Sequence, residues 1–223
     1  MFAGRPEMFI PLLQRHYFQS VLSSMVYTRG GTTQIATTLS DDGSTLNFVT
    51  EEFAERAGLQ QVGVWRGTIK QLKDTVELDA PMYQVFFQLA PPLNEIVSVL
   101  AIGTTAIGHR VPVEPCVMNV LCMLLNTRKE FVANPAGDID ILLGMESCGL
   151  LLKTQPLERT PIMRDLSVTK SPLSSLYNIK GAIGGLAGDG TANCVHSTKH
   201  YTTLLKLKKY SGYPISFEND LKP

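Results

Sequence analysis

Hydrophobic and polar positions change their rhythm several times along this chain, and each change predicts an element. From Tyr17 to Tyr27 the run YFQSVLSSMVY mixes aromatic and β-branched residues, the make-up of a strand. Arg29-Gly30-Gly31 reads as a hairpin-type turn, and Thr33 to Leu39 (TQIATTL) as the second strand. After the tight segment Ser40 to Thr45, Leu46-Asn-Phe-Val49 reads as a short buried strand. Thr50 then stands where a helix needs an N-cap. Glu51 and Glu52 fill the first turn, where the helix dipole favours carboxylates. Phe53, Ala54 and Ala57 follow at helical spacing, and Gly58 closes the helix as a C-cap.

Three further strand-like runs lie between Val62 and Gly108: VGVWRGTIKQL, TVELDAPMYQVFFQLAPP and EIVSVLAIG. Gly67, Pro81, Pro91, Pro92 and Gly103 punctuate them, and strands at this spacing predict an antiparallel barrel or sandwich. Val113 to Leu125 is apolar, and its periodicity fits helix and strand equally. Asn134 to Gly137 is a turn, Asp138 to Gly144 a short buried strand, and Met145 to Leu152 a helical turn behind it. After Thr154, Ser, Thr, Pro and Gly become frequent, which puts a boundary near residue 155. The expected division is a leader over 1–16, a domain over 17–155, a strand extension packed on it over 156–187, and a tail or linker over 188–223.

Composition narrows the class. The 223 residues carry 20 Lys+Arg against 20 Asp+Glu, and a net charge of zero argues against a general nucleic-acid binder. A hydrophobic share of 44% is too apolar for a disordered chain. The four cysteines, Cys116, Cys122, Cys148 and Cys194, form no close CxxC pair and are too sparse for a disulfide scaffold. They read as reduced thiols of an intracellular, cytoplasmic protein. Met1 to Pro11 lacks the basic and apolar regions of a signal peptide, and no apolar run approaches the ~20 residues that span a bilayer.

The chemistry concentrates in three segments in order. A strand leads into Asp41-Asp42-Gly43-Ser44-Thr45; the strand and helix LNFVTEEFAERAGL follow over 46–59; and Ile139-Asp-Ile-Leu-Leu-Gly144 comes much later. A carboxylate on a Gly-containing turn after a buried strand is held rigidly. Gly43 would allow an unusual backbone and close approach of a partner chain. Ser44 and Thr45 would supply hydroxyls to the carboxylate.

This order resembles the retropepsin-like aspartic peptidases, and more closely the peptidase domain of BEL/Pao retrotransposon polyproteins. The similar blocks are SDDGSTLNFVTEEFAERAGL (40–59), VLAIGTTAIG (99–108) and PAGDIDILLGMESCGLLL (135–152), with a fainter one in LSVTKSPLSSLYNIKGAIGG (166–185). The resemblance implies a mostly β fold, a closed acid-protease-like (retropepsin) β-barrel with one or two short helices. It implies an aspartic endopeptidase that cuts a polyprotein, with a peptide or polyprotein as substrate. Two carboxylates about 3 Å apart share one proton, so that one activates water and the other protonates the leaving amine. This chain has one such motif, so the second Asp would come from the other copy of a homodimer. Asp41 is the implied catalytic residue, within the active-site loop Asp42, Gly43, Ser44 and Thr45. Ile141, Leu142, Leu143 and Gly144 are the implied supporting strand, and a hairpin around Trp65, Arg66 and Gly67 the implied flap. No cofactor, no metal, no membrane and no nucleic acid are implied.

One position departs from the family. The residue after the catalytic Asp is usually Ser or Thr, and here it is Asp42, a like charge beside the dyad that should raise its pKa values or weaken assembly. The alternative is therefore a catalytically inactive peptidase-like dimerisation or binding module. A third reading is an unrelated β-rich binding protein in which residues 40–45 are only a turn, since Asp and Gly dominate turns. Other motifs carry less. GAIGGLAGDG (181–190) lacks the Lys-Ser/Thr of a phosphate loop and reads as a flexible loop. Adjacent Asp41 and Asp42 miss the spacing of an aspartyl phosphatase. Cys194, His196 and His200 supply three ligands where structural zinc needs four. The basic run from Lys199 to Lys209 reads as a solvated face.

Overall fold

The computed structural model describes residues 16–70, 75–147 and 166–183. The fold is mostly β with two short helices among the described residues, as the sequence predicts. Chain order runs β1 (His16–Phe18), β2 (Val21–Tyr27), β3 (Thr33–Ser40), β4 (Phe48–Thr50), helix α1 (Glu51–Ala57), β5 (Gln60–Lys70), β6 (Thr75–Gln88) and β7 (Ile96–Thr104). The two-residue β8 (His109–Arg110), helix α2 (Pro115–Leu124), β9 (Gly137–Asp138), β10 (Ile141–Leu143), β11 (Leu166–Lys170) and β12 (Tyr177–Ile183) follow.

Seven strands form one sheet in the order β2-β3-β10-β4-β7-β6-β5, and a further pairing of β2 with β6 joins the row into a ring. β5 stays outside that ring, paired only with β6. Inside lie Leu22, Val26, Val49, Val85, Phe87, Ile141 and Leu143, with Phe53, Ala54 and Ala57 of α1 packed among them. Burying side chains of this kind contributes roughly 1.5–3 kcal/mol each, which makes this cluster the main source of stability.

Local signals explain α1. The Thr50 hydroxyl accepts the Phe53 N–H at 3.3 Å, and Gly58 takes the left-handed conformation at φ 60°. Gly58 and Leu59 return their N–H groups to the carbonyls of the last turn, which satisfies acceptors the helix leaves open.

The stretch from Val113 to Leu125, open to either state by periodicity, is helical from Pro115. Proline at the first position loses no hydrogen bond there. What decides is a partner: Val117, Met118, Val120 and Leu121 pack on Phe18, Val168 and Ile179. Those three residues belong to a separate sheet of order β1-β12-β11. Residues 16–18 and the predicted strand extension thus share one sheet, because His16 to Phe18 pair with Ile183 to Gly181. Leu173, between β11 and β12, enters the main core, and the Ala90 N–H donates to the Pro172 carbonyl at 2.7 Å. The boundary near residue 155 and the tail over 188–223 lie outside the described residues.

Candidate active-site loop

β10 is the element that builds the site. It lies between β3 and β4, parallel to β3 (Leu142 beside Leu39, Leu143 beside Ser40) and antiparallel to β4 (Ile141 beside Val49, Leu142 beside Phe48). Its three side chains are buried on both faces. Ile141 and Leu143 point into the main core, and Leu142 into a second cluster with Phe48, Ile69, Ala80 and Ile102. The pattern ILL therefore reads as continuous rather than alternating, as expected of a strand covered on both sides.

Each end of β10 is fixed by a polar side chain. At its start, the Asp140 carboxylate accepts the Thr37 N–H at 2.8 Å and pairs with Arg56 of α1 at 2.9 Å. At its end, the buried Asn47 amide oxygen accepts the Gly144 N–H at 3.0 Å and the Ser147 hydroxyl at 2.9 Å. The Asn47 NH2 donates to the Leu100 carbonyl on β7 at 2.9 Å. A buried amide that makes three bonds locks three segments together, because each lost bond would leave a buried group unsatisfied.

On this frame sits the loop that follows β3. The Asp41 N–H donates to the Leu143 carbonyl at 3.0 Å, and the Met145 and Glu146 N–H groups donate to the Ser44 and Thr45 carbonyls. One carboxylate oxygen of Asp41 accepts the Gly43 N–H at 2.9 Å, an Asx turn that fixes the side chain. Gly144 lies against the loop so closely that an added Cβ would fall 2.8 Å from the Ser44 carbonyl oxygen and collide with that of Leu46. Only glycine fits there.

The predicted site residues divide accordingly. Asp41, Asp42, Gly43, Ser44 and Thr45 and the strand Ile141 to Gly144 come together. Two expected roles differ in detail. The fully buried Ser44 hydroxyl donates to the Leu46 carbonyl at 2.8 Å, so it braces the loop rather than the Asp41 carboxylate. Gly43 is not among the glycines with positive φ, which are Gly31, Gly58, Gly137 and Gly181, so its backbone is not of the unusual kind expected.

Trp65, Arg66 and Gly67 do not form a turn. They lie along β5 opposite Ala80, Asp79 and Leu78, and the β5–β6 connection falls at 71–74, outside the described residues. Trp65 nevertheless shares the second hydrophobic cluster with Leu39 and Leu46, which bracket the Asp41 loop. The hairpin is thus anchored on the side of the sheet from which that loop emerges. Arg66 pairs across the strands with Asp79 at 3.1 Å, in solvent.

Comparison of the chain with family models, with curated proteins and with solved structures finds no match. The site is therefore read from its own geometry. Among the described residues no three His, Cys, Asp or Glu side chains gather as a metal-binding group. No helix among them is long and apolar enough to cross a membrane. The motif of Cys194, His196 and His200, the glycine run beyond residue 183 and the basic run of 199–209 lie outside the described residues.

Sequence reasoning missed Asn47, Asp140 and Lys180. Asn47 carries a signal, since a polar residue inside the apolar run LNFV must find partners. Asp140 stands within the quoted IDILLG block. Lys180 has no local signal at all: its ammonium meets the Asp42 carboxylate at 2.7 Å across 138 residues of sequence. That bond holds the Asp42 carboxyl below its ordinary range.

Proposed function

We propose that this chain is an aspartic endopeptidase of a retroelement polyprotein, similar to those of the BEL/Pao type, that works as a homodimer. The proposed fold is the closed acid-protease-like barrel, with the ring of strands as its body. Asp41 of each copy supplies one carboxylate. The pair shares a proton, because two adjacent carboxylates resist joint ionisation. The ionised member takes a proton from water as that water attacks the peptide carbonyl. The protonated member hydrogen-bonds the carbonyl oxygen, and a proton then passes to the leaving amine. The β5–β6 hairpin would cover the substrate. The proposed setting is intracellular and cytoplasmic, with a polyprotein as substrate and neither nucleic acid nor cofactor involved.

The observation that carries this reading is the threading of β10 between β3 and β4, with the Asp41 N–H bonded to the Leu143 carbonyl. A surface turn needs no such frame. A carboxylate that must meet a second carboxylate within hydrogen-bonding range does need one.

The test is cleavage of a peptide library at mildly acidic pH. Native chain should cut and be blocked by pepstatin-type inhibitors, while Asp41→Asn should fold and cut nothing. Cleavage that persists in Asp41→Asn would sink the proposal.

Asp42 favours a second reading, an inactive dimerisation or binding module, since a carboxylate replaces the hydroxyl of the family pattern. If the native chain is inert and Asp42→Ser gains activity, that reading wins.

A further inference from the structure

The residue that sets this loop apart is also the one that binds it to a distant part of the fold. Asp42 is largely exposed, yet its carboxylate is held at 2.7 Å by Lys180. Lys180 stands on β12, whose two faces have separate tasks. Ile179 points into the cluster under α2, while Asn178 and Lys180 reach the segments around the loop. The buried Asn178 donates to the Ser20 hydroxyl at 2.6 Å, and the Ser20 carbonyl accepts the Ser40 N–H, one residue before Asp41. Two consecutive same-side residues of β12 therefore contact the supports of the loop. Asn178 is buried, and β12 is also held by its pairing with β1 and β11.

Resting on the reading of Asp41 as the catalytic carboxylate, we propose that Lys180 is a positioning residue that makes an acidic residue compatible with the dyad. Its ammonium offsets the charge of Asp42 and keeps that carboxylate turned toward β12, away from Asp41. Among the described residues, the charged groups that surrounding elements bring to the loop are Lys180 from β12, Asp41 within the loop, and Glu146 from the turn after β10, whose N–H bonds the Thr45 carbonyl. Lys180 is the one cation among these. Without it, Asp42 would stand as an uncompensated anion next to Asp41, and like charge disfavours ionisation. Two unit charges about 7 Å apart in water-like surroundings shift one another's midpoints by about half a unit. In a dimer the effect would act on both carboxylates of the dyad.

The test uses the full chain and two readouts. Carboxyl NMR titration follows Asp41 and Asp42 directly, and a pH–rate profile follows cleavage. In Lys180→Met the Asp42 midpoint should return to the ordinary carboxylate range. The Asp41 midpoint should rise by about half a unit, and the acid limb of the profile should move with it. Adding Asp42→Asn to Lys180→Met should restore the Asp41 midpoint, which a merely structural role of Lys180 would not produce. Lys180→Arg should keep both midpoints. An Asp41 midpoint unmoved by Lys180→Met, or not restored in the double variant, would overturn the proposal. Should Lys180→Met not fold, Asp42→Asn alone decides: Lys180 then acts unopposed and the Asp41 midpoint should fall, and no movement would overturn the proposal. Failure of the peptidase reading shows elsewhere, as cleavage that survives Asp41→Asn, while the titration judges the coupling in an inert chain as well.

Discussion

Two glycines, one against the Asp41 loop and one on β5, face the same crowding with different neighbours. An added Cβ at Gly144 would meet the carbonyl oxygens of Leu46 and Ser44, which belong to the backbone of the loop. An added Cβ at Gly67 would come within 2.7 Å of the Trp65 ring, the far end of a side chain on a strand paired along one edge only. The first wall cannot move without dragging Asp41 and β10. The second can turn away. The loop is thus a floor tied by Asn47 and Asp140, while at Gly67 the crowding falls on a side chain that can turn.

The sharpest way to break this comparison is Gly144→Ala. It should destabilise the chain by about 3 kcal/mol, because backbone must shift to admit a methyl group in a packed interior. Urea unfolding of variant and native chain measures it, and a loss near zero would mean that the floor is soft. Next comes Asn47→Ala, which takes the acceptor from the Gly144 N–H and the Ser147 hydroxyl and a donor from the Leu100 carbonyl, and should cost about 2 kcal/mol. Hydrogen exchange should then quicken at Met145 and Glu146, whose N–H groups bond the loop. Unchanged exchange there would separate Asn47 from the loop. Gly67→Ala should cost less than about 1 kcal/mol, with the Trp65 fluorescence shifted as the ring moves. A cost equal to that of Gly144→Ala would erase the distinction between floor and hairpin.

The smallest effect is electrostatic. Asp42 has its carboxyl held low in the folded chain, by the Lys180 hydrogen bond first and its charge after. A depressed folded-state pKa contributes stability that is present above the unfolded value, near 3.9, and is lost as pH falls through the folded value. The loss therefore comes below about pH 4, and solvent screening holds it to about 0.3 kcal/mol for so exposed a pair. Lys180→Met should remove about that much of the native chain's loss of stability below about pH 4. A larger change would show that the ion pair does more for the β12 contact than Asn178 does.

Helix α1 was legible because its determinants are local. Thr50, the two glutamates, the apolar spacing and Gly58 all lie within nine residues, and each occupies the position its chemistry predicts. Helix α2 was not legible, because an apolar run between Val113 and Leu125 satisfies either period until a sheet is laid against it. The loop was legible as a motif and misread in its bonds. Ser44 carries a hydroxyl beside a carboxylate in sequence, but its own backbone turns that hydroxyl toward Leu46. The hairpin was displaced for a similar reason: Gly67 looks like a turn residue, yet it serves the packing of Trp65 within a strand.

By itself, then, the sequence determined the strands, the first helix and the order of the three segments around Asp41, since all of these follow from side-chain type and short spacing. Only the tertiary structure decided that Ile141 to Leu143 lies between β3 and β4, that Asn47 and Asp140 close its two ends, and that Lys180 meets Asp42. Those are contacts across roughly a hundred residues or more, and no local propensity encodes which distant partner a buried amide or an exposed carboxylate will find.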